Sequence, residues 1–197
     1  MLKRLFDLMI TLPMLLLVSP FFLIIALLIK LGSKGPVFYK QVRVGLNNRD
    51  FKIFKFRTMH INADKAGLLT VGGRDPRVTS IGFFLRKYKL DELPQLLNVL
   101  FGSMSLVGPR PEVRKYVDLY NSEQQKVLSV KPGITDYASI EYSEENDLLA
   151  KSSDPEKTYI EEIMPAKLLL NQKYIAEKSI LTDIKIIWMT ATKIISH

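Results

Sequence analysis

The sequence predicts an α+β protein, mostly helical, with an N-terminal membrane helix followed by a compact domain that contains a short β-hairpin. Three observations support this fold class. Residues 8–29 carry no charge, two stretches rich in aromatic and β-branched residues follow, and apolar residues then recur at helical spacing. We expect the membrane helix to occupy residues 1–34 and the compact domain to occupy residues 35–197.

The apolar run over residues 8–29 is long enough for a membrane. As a helix it would measure about 33 Å, against a hydrocarbon core of about 30 Å. It is too long for the apolar part of a signal peptide, so we expect it to be retained. Residues 1–60 hold ten Lys or Arg and two acidic residues, which accounts for the whole net charge of +8. Because basic residues flank both sides of the run, the positive-inside rule favours both ends in the cytoplasm.

Ser19 and Pro20 lie in the middle of this run. Pro20 has no N–H, so the Leu16 carbonyl loses its helical partner and the helix tends to bend. The Ser19 hydroxyl can bond a carbonyl freed at that bend. Two forms stay open on these grounds: a re-entrant helix that turns at Ser19-Pro20 and leaves by the same face, and a kinked helix that spans the bilayer.

Aromatic and basic residues are mixed in the two predicted strands, over residues 37–44 and 51–59, which a loop over residues 46–50 connects. Such mixtures occur in nucleic-acid-binding proteins. Here the basic residues lie beside a lipid segment, where anionic headgroups attract them, so we expect no nucleic-acid partner. A phosphate-bearing substrate could use the same cations.

Composition limits the chemistry. The chain has no Cys, which excludes a thiolate nucleophile, a Cys-ligated metal and a disulfide. Its only histidines are His60 and His197, too few for a multi-His metal site or a Ser-His-Asp triad. Any reaction therefore depends on carboxylates, Lys or Arg, hydroxyls, or a metal bound by oxygen.

An acidic pair, Asp91 and Glu92, follows a predicted loop over residues 67–76 and a predicted short helix over residues 81–88. Asp91 fits the N-cap of an apolar helix with Pro94 in its first turn, and ordinary capping explains it. The alternative is phosphoryl chemistry. In that case nearby cations hold a polyanion, a carboxylate binds Mg²⁺, or an ionised carboxylate attacks phosphorus.

Two prolines flank Arg110, so its guanidinium should project from a stiff turn. A rigid Arg suits a phosphate or a nucleotide; the alternative is a rigid connector before a predicted helix over residues 113–130. Neither a P-loop nor a dinucleotide-binding glycine motif occurs in the sequence.

Two further helices are predicted near the C-terminus, over residues 154–174 and 180–195. The second has an apolar face that includes Trp188, and the neighbouring lysines favour a membrane interface over packing against the domain. We interpret the acidic residues 141–147 as a solvated loop, with contact to a sugar as the alternative.

These segments, in this order, resemble the bacterial sugar transferases in their small form, the monotopic phosphoglycosyl transferases. The likeness covers about residues 5–193. The resemblance rests on these motifs: Ser19-Pro20, residues 56–59, Arg86 five residues before Asp91, and residues 90–99, 104–111 and 131–135.

The resemblance implies an enzyme that moves a sugar-1-phosphate from a UDP-sugar to undecaprenyl phosphate, with release of UMP and with Mg²⁺ as cofactor. Asp91 would be the nucleophile that forms a covalent phosphosugar intermediate in a ping-pong sequence. Glu92 would bind Mg²⁺, together with Asp91, or assist proton transfer. Arg57 and Arg86 would contact phosphate.

By the same correspondence Pro109, Arg110 and Pro111 would shape the nucleotide site. The resemblance also favours the re-entrant form, with a helix break at Ser19-Pro20, and amphipathic interfacial helices. The catalytic domain would then lie on the cytoplasmic face of the bacterial inner membrane, where a surface glycan is initiated. Neither the sugar nor a homodimer follows from the motifs.

One segment departs from the pattern. After Thr135 many members of the family continue with Gly-Trp and an Arg-bearing segment, whereas here Asp136 and Tyr137 follow. We therefore do not carry over any contact of that Arg to phosphate or sugar. The competing hypothesis is a non-catalytic module at the membrane surface that binds anionic lipid or a partner protein, with Asp91 and Glu92 only capping a helix.

Overall fold

The protein is described here by a computed structural model that covers residues 1–63, 69, 71–72 and 75–195. The fold is mostly helical, as predicted, and contains two small sheets. The α-helices of the described residues are α1 (Leu2–Gly32), α2 (Ser80–Lys87), α3 (Gln95–Phe101), α4 (Arg114–Val117), α5 (Tyr137–Glu141), α6 (Glu145–Ala150), α7 (Pro155–Thr158), α8 (Met164–Glu177) and α9 (Ile180–Ile195). The strands are β1 (Phe38–Val44), β2 (Asp50–Phe56), β3 (Ser105–Val107) and β4 (Gly133–Thr135).

The predicted hairpin is confirmed. Strands β1 and β2 pair antiparallel, from Phe38 opposite Phe56 to Val44 opposite Asp50. The turn between them contains Asn47 with φ 55°, a left-handed conformation that Asn tolerates well. Side chains that face each other across the pair lie on the same side of the sheet, so Arg43 and Lys55 share a face.

A second sheet, which the sequence did not predict, joins β3 and β4 in parallel. Two glycines allow its backbones to meet. A Cβ on Gly133 would lie 2.1 Å from the Gly108 nitrogen, and a Cβ on Gly108 would lie 2.5 Å from the Lys131 carbonyl oxygen. Any larger residue would force these segments apart, which explains a glycine at each position.

Helix α1 is the one helix of the described residues that is long and apolar enough to cross a membrane. It lies along the domain, with Thr11, Ile25 and Ile29 buried and its other side exposed. Ile25 and Ile29 pack with Phe56 of β2 and Leu85 of α2. The helix is therefore part of the core along one side and uncovered apolar surface on the other.

Buried charges hold the N-terminal end of α1 to the domain. The Lys3 ammonium lies 2.6 Å from the Asp183 carboxylate of α9 and 3.2 Å from that of Asp7. Asp7 also accepts a hydrogen bond from the Ser105 hydroxyl of β3 (2.8 Å). Arg4 donates to the carbonyl of Leu100 at the end of α3 (2.7 Å).

The C-terminal end of α1 is held by Arg57. Its buried guanidinium donates to the carbonyls of Ser33 (2.9 Å), Lys34 and Pro36 (2.7 Å). It thus satisfies carbonyls left unpaired where the helix ends. Both ends of α1 are therefore bonded to the same domain.

The structure contains one continuous helix through Ser19 and Pro20. The predicted local chemistry is present, because the Ser19 hydroxyl donates to the Leu16 carbonyl (2.9 Å). A break into two helices at this point stays a prediction.

The chain between residues 113 and 130 is less helical than predicted. The prediction of one helix over these residues is wrong, because only α4 and the 3₁₀ turn Gln124–Ser129 form there. The loop prediction over residues 141–147 is wrong in part, since Glu145 begins α6 and pairs with Lys167 (2.6 Å). Most of the loop predicted over residues 67–76 lies outside the described residues. In α9, Leu181, Ile184 and Trp188 are exposed, whereas Ile186 is buried and Ile187 is partly buried against the core.

The buried Asp7 carboxylate generates a stability prediction. Asp7→Asn removes the charge that faces Lys3, and we expect the free energy of unfolding in detergent to fall by about 2 kcal/mol. For a chain of this size that corresponds to a melting temperature lower by about 4–8 °C. The exposed Asp118→Asn is the control and should leave the melting temperature within about 1 °C. Equal effects of the two substitutions would contradict this role of Asp7.

Candidate active site

The acidic pair lies in a tight turn, not at a helix N-cap. Lys89 has φ 55°, in the left-handed region, and reverses the chain after α2. Residues Leu90–Glu92 then form a 3₁₀ turn, and Pro94 precedes α3. The expectation that Asp91 caps the following helix is therefore wrong. The turn instead places both carboxylates together at the junction of α2 and α3.

Glu92 is bound by two cations. Its Oε1 accepts from the Lys55 ammonium (2.9 Å) and from Arg110, whose second nitrogen donates to Oε2 (3.0 Å). The guanidinium therefore grips both oxygens of the carboxylate. Burial raises the pKa of Glu92, but Arg110 and Lys55 outweigh burial and hold that pKa well below its usual range. Burial lowers the pKa of Lys55, and the Glu92 charge opposes this change.

Asp91 is in a different environment from its neighbour. It is 7% exposed and forms no hydrogen bond or ion pair within the described part of the chain. Burial raises its pKa, Lys55 lowers it, and the adjacent Glu92 raises it further. Two successive acids thus differ: one carboxylate is occupied by cations, and the other keeps its oxygens unbonded.

Arg86 approaches the pair from α2. Its Nε donates to the Thr58 hydroxyl (2.9 Å). Burial lowers the pKa of this guanidinium, and the Asp91 charge is the largest opposing influence, so Arg86 lies within electrostatic reach of Asp91. The structure thus brings together Arg86, Arg110 and the acidic pair. Arg57, by contrast, is bonded to backbone carbonyls at the end of α1. Phosphate binding by Arg57 stays a prediction and would require some of those bonds to be exchanged.

Lys55 was not identified from the sequence as a site residue. Its position depends on the hairpin register and on the packing of β2 against α3. Asn98 of α3 provides that packing, because its side chain accepts from the Phe54 N–H (2.9 Å) and donates to the Lys52 carbonyl (2.8 Å). The sequence contains only a weak indication that Lys55 belongs to the site: it lies two residues from Arg57, on the inward side of an alternating strand.

The turn that carries Arg110 is bonded on both sides. The Arg110 N–H donates to the buried Asp136 carboxylate (3.2 Å), which also accepts from the Ser139 N–H (2.6 Å). The Pro109 carbonyl accepts from the Gly133 N–H (3.0 Å). The predicted rigid turn therefore projects Arg110 onto Glu92. Pro109 and Pro111, with Arg110, also line a small cavity that has room for about one water molecule. Their role in nucleotide binding stays a prediction.

The acidic pair offers oxygen ligands of the type that Mg²⁺ prefers. As arranged, however, both Glu92 oxygens are bonded to cations, and no group of three metal-binding side chains occurs in the described residues. These residues therefore do not fit a magnesium site built on both carboxylates. The Mg²⁺ requirement implied by the resemblance stays a prediction.

Fold and site together define a class: small α+β proteins in which an apolar N-terminal helix accompanies a buried carboxylate pair surrounded by Lys and Arg. The model of one family, described as bacterial sugar transferase, matches residues 1–197. The chain belongs to the bacterial sugar transferase family.

The chain is similar in sequence to several curated proteins. A UDP-glucose:undecaprenyl-phosphate glucose-1-phosphate transferase of Escherichia coli strain K12 is 39% identical over 98% of this chain and 40% of its own length. An undecaprenyl-phosphate glucose phosphotransferase of Komagataeibacter xylinus is 40% identical over 95% of this chain and 35% of its own length. The chain thus spans about two fifths of these relatives. The exopolysaccharide production protein PSS of Rhizobium leguminosarum is 39% identical over 96% of this chain and 92% of its own length.

The lowered pKa of Glu92 generates a prediction for stability against pH. Because the folded-state pKa lies below the ordinary value of 4.5, ionised Glu92 stabilises the protein above that pH, and this contribution is lost as the pH falls further. We expect Glu92→Gln to lower the free energy of unfolding by about 2 kcal/mol at pH 7, since two partly buried cations lose the charge that they face. The difference from the wild type should shrink below about pH 4.5.

Denaturant titrations in detergent between pH 7 and pH 3.5 would measure this difference. The exposed Glu161→Gln serves as the matched control, and its curve should follow that of the wild type at every pH. A Glu92→Gln difference that stays constant across the range would contradict the assigned ion pairs.

Proposed function

We propose that this protein transfers a sugar-1-phosphate from a UDP-sugar to undecaprenyl phosphate and releases UMP, through a covalent intermediate on Asp91. The observation that carries the proposal is the buried Asp91, whose carboxylate keeps its oxygens unbonded beside a second acid held by Lys55 and Arg110. The relatives named above support the reaction class, because their names state undecaprenyl-phosphate sugar-phosphate transfer.

The reaction would proceed in two displacements. An Asp91 oxygen attacks the phosphorus atom that bears the sugar, and the bond from that phosphorus to the bridging diphosphate oxygen breaks. UMP leaves with the bond's electrons, and Asp91 is left as an acyl phosphate ester of the sugar. A phosphate oxygen of undecaprenyl phosphate then attacks the same phosphorus. This displaces the Asp91 carboxylate and forms the lipid diphosphate sugar.

The surrounding cations suit both displacements. Each one moves negative charge onto a departing oxygen, and fixed positive groups at that place lower the barrier. Lys55, Arg86 and Arg110 provide this charge within reach of Asp91. Glu92 would act mainly by holding Lys55 and Arg110, so that the cations keep their place while the diphosphate enters and UMP leaves.

The lipid acceptor requires the site to lie at a membrane surface, and α1 supports that placement. Its exposed side is apolar apart from Ser19 and Lys30. Arg4 and Arg57 hold its two ends to the same domain. We infer a monotopic arrangement in which α1 enters one leaflet, bends near Ser19-Pro20 and returns. The exposed aromatic residues of α2 and Trp188 of α9 would then lie at the interface on the cytoplasmic face of the bacterial inner membrane.

Release of UMP tests the reaction. Membranes that contain the protein, supplied with Mg²⁺, undecaprenyl phosphate and a panel of UDP-sugars, should release UMP with at least one sugar. Asp91→Asn should lower the rate at least about 10³-fold, because an amide is a far weaker nucleophile than a carboxylate. Asp118→Asn, which changes an exposed acid, should match the wild type.

The mass of the protein tests whether the covalent intermediate forms. With the accepted donor and no undecaprenyl phosphate, intact-mass analysis should show a gain equal to one phosphosugar in the wild type and none in Asp91→Asn. Wild-type turnover without this adduct would overturn the covalent route. Lack of turnover with every sugar would favour the non-catalytic module at the membrane surface.

The monotopic arrangement has its own test, which the absence of Cys makes clean. Single cysteines introduced as Leu2→Cys and Leu31→Cys lie at exposed positions near the two ends of α1. A membrane-impermeant maleimide should label both in inverted inner-membrane vesicles and neither in spheroplasts. Leu17→Cys, in the middle of the exposed side, should be protected in both. Labelling of the two ends from opposite faces would show that α1 spans the bilayer.

A further inference from the structure

The Pro109–Pro111 turn, which carries Arg110 to Glu92, is followed directly by Glu112. The Glu112 carbonyl accepts from the Val44 N–H at the end of β1 (2.8 Å). One oxygen of its carboxylate accepts from Arg43 of β1 (3.0 Å) and from the Val113 N–H (2.7 Å). The other oxygen accepts from the Tyr159 hydroxyl. Glu112 therefore bonds the base of the turn to the hairpin on one side and to the C-terminal helices on the other.

Arg43 connects the same turn to the hairpin a second time. Its guanidinium donates to the Pro111 carbonyl (3.1 Å) as well as to Glu112, and its remaining donors bind the Gln41 side chain (2.8 and 2.9 Å). Glu112 thus helps to hold the Arg43 guanidinium in place, and Arg43 in turn holds the Pro111 carbonyl, which is next to Arg110 in the chain.

The packing around Tyr159 fixes the orientation of its ring, so that the hydroxyl points toward Glu112. Tyr159 begins the π-helical turn Tyr159–Ile163 between α7 and α8, an uncommon geometry that costs helical regularity and is often kept where a side chain must be aimed. Its ring is 3% exposed, packs at 4.8 Å from the Tyr116 ring, and has the Lys167 ammonium 5.5 Å from its centre. The phenol therefore cannot turn away from Glu112 without repacking the core.

We propose that Tyr159 is a positioning residue for Arg110: its hydroxyl holds Glu112, and Glu112 with Arg43 holds the turn that places the Arg110 guanidinium on Glu92. This inference rests on the proposed function and adds a residue that does not touch the acidic pair.

Tyr159→Phe is the test, because it removes one hydroxyl and keeps the ring. We expect kcat for UMP release to fall about tenfold with KM for the UDP-sugar within about twofold, since a small displacement of Arg110 weakens stabilisation of the transition state. The matched control is Tyr174→Phe. That residue is another buried tyrosine, whose hydroxyl lies 2.9 Å from the Asp183 carboxylate and 3.1 Å from the Val107 carbonyl and forms no bond to Glu112. It should lower the melting temperature by a similar amount and leave kcat unchanged.

A double-mutant cycle distinguishes positioning from loss of stability. If Tyr159 acts through Arg110, then adding Tyr159→Phe to Arg110→Lys should lower kcat by less than about twofold. A full tenfold loss in the Arg110→Lys background, or equal kcat values for Tyr159→Phe and Tyr174→Phe, would overturn the inference while wild-type turnover keeps the proposed function. Absence of wild-type turnover would overturn both.

Discussion

The ion pairs of Glu92 are the constraint on which the site depends. They join three segments that are distant in sequence: β2 through Lys55, the turn Leu90–Glu92, and the turn that carries Arg110. Removing three charges from water is costly, and their attraction offsets that cost only when the groups meet in good geometry. The neighbouring contacts keep the three backbones aligned. Asn98 sets β2 against α3, and Asp136 sets the Arg110 turn against α5.

The acidic pair shows how adjacent carboxylates can acquire different properties. The cations that bind Glu92 hold its pKa well below the usual range, whereas burial and the Glu92 charge raise that of Asp91. Environments that move two titratable groups in opposite directions are typical of sites where one acid stabilises charge and the other reacts. That difference supports the proposed division of roles, in which Glu92 organises the cations and Asp91 forms the bond.

The sequence predicted those parts of the molecule that depend on local pattern. The uncharged run became α1, the alternating stretches became the hairpin, and the prolines around Arg110 gave a bonded turn. Features that depend on distant contacts were missed. The pairing of β3 with β4 joins three-residue strands that are about 25 residues apart, too short for a periodic signal. Asp91 had the sequence context of an N-cap, but the left-handed Lys89 starts a 3₁₀ turn that contains it, and α3 begins only after Pro94.

The Asn98 side chain has a consequence that reaches beyond the site. A two-stranded sheet leaves unpaired N–H and carbonyl groups along each outer edge, where a second chain can add a strand and begin aggregation. By accepting from the Phe54 N–H and donating to the Lys52 carbonyl, Asn98 occupies the place of a third strand on the free side of β2. A single amide thus satisfies two backbone groups on that edge and leaves fewer of them for pairing with a second chain.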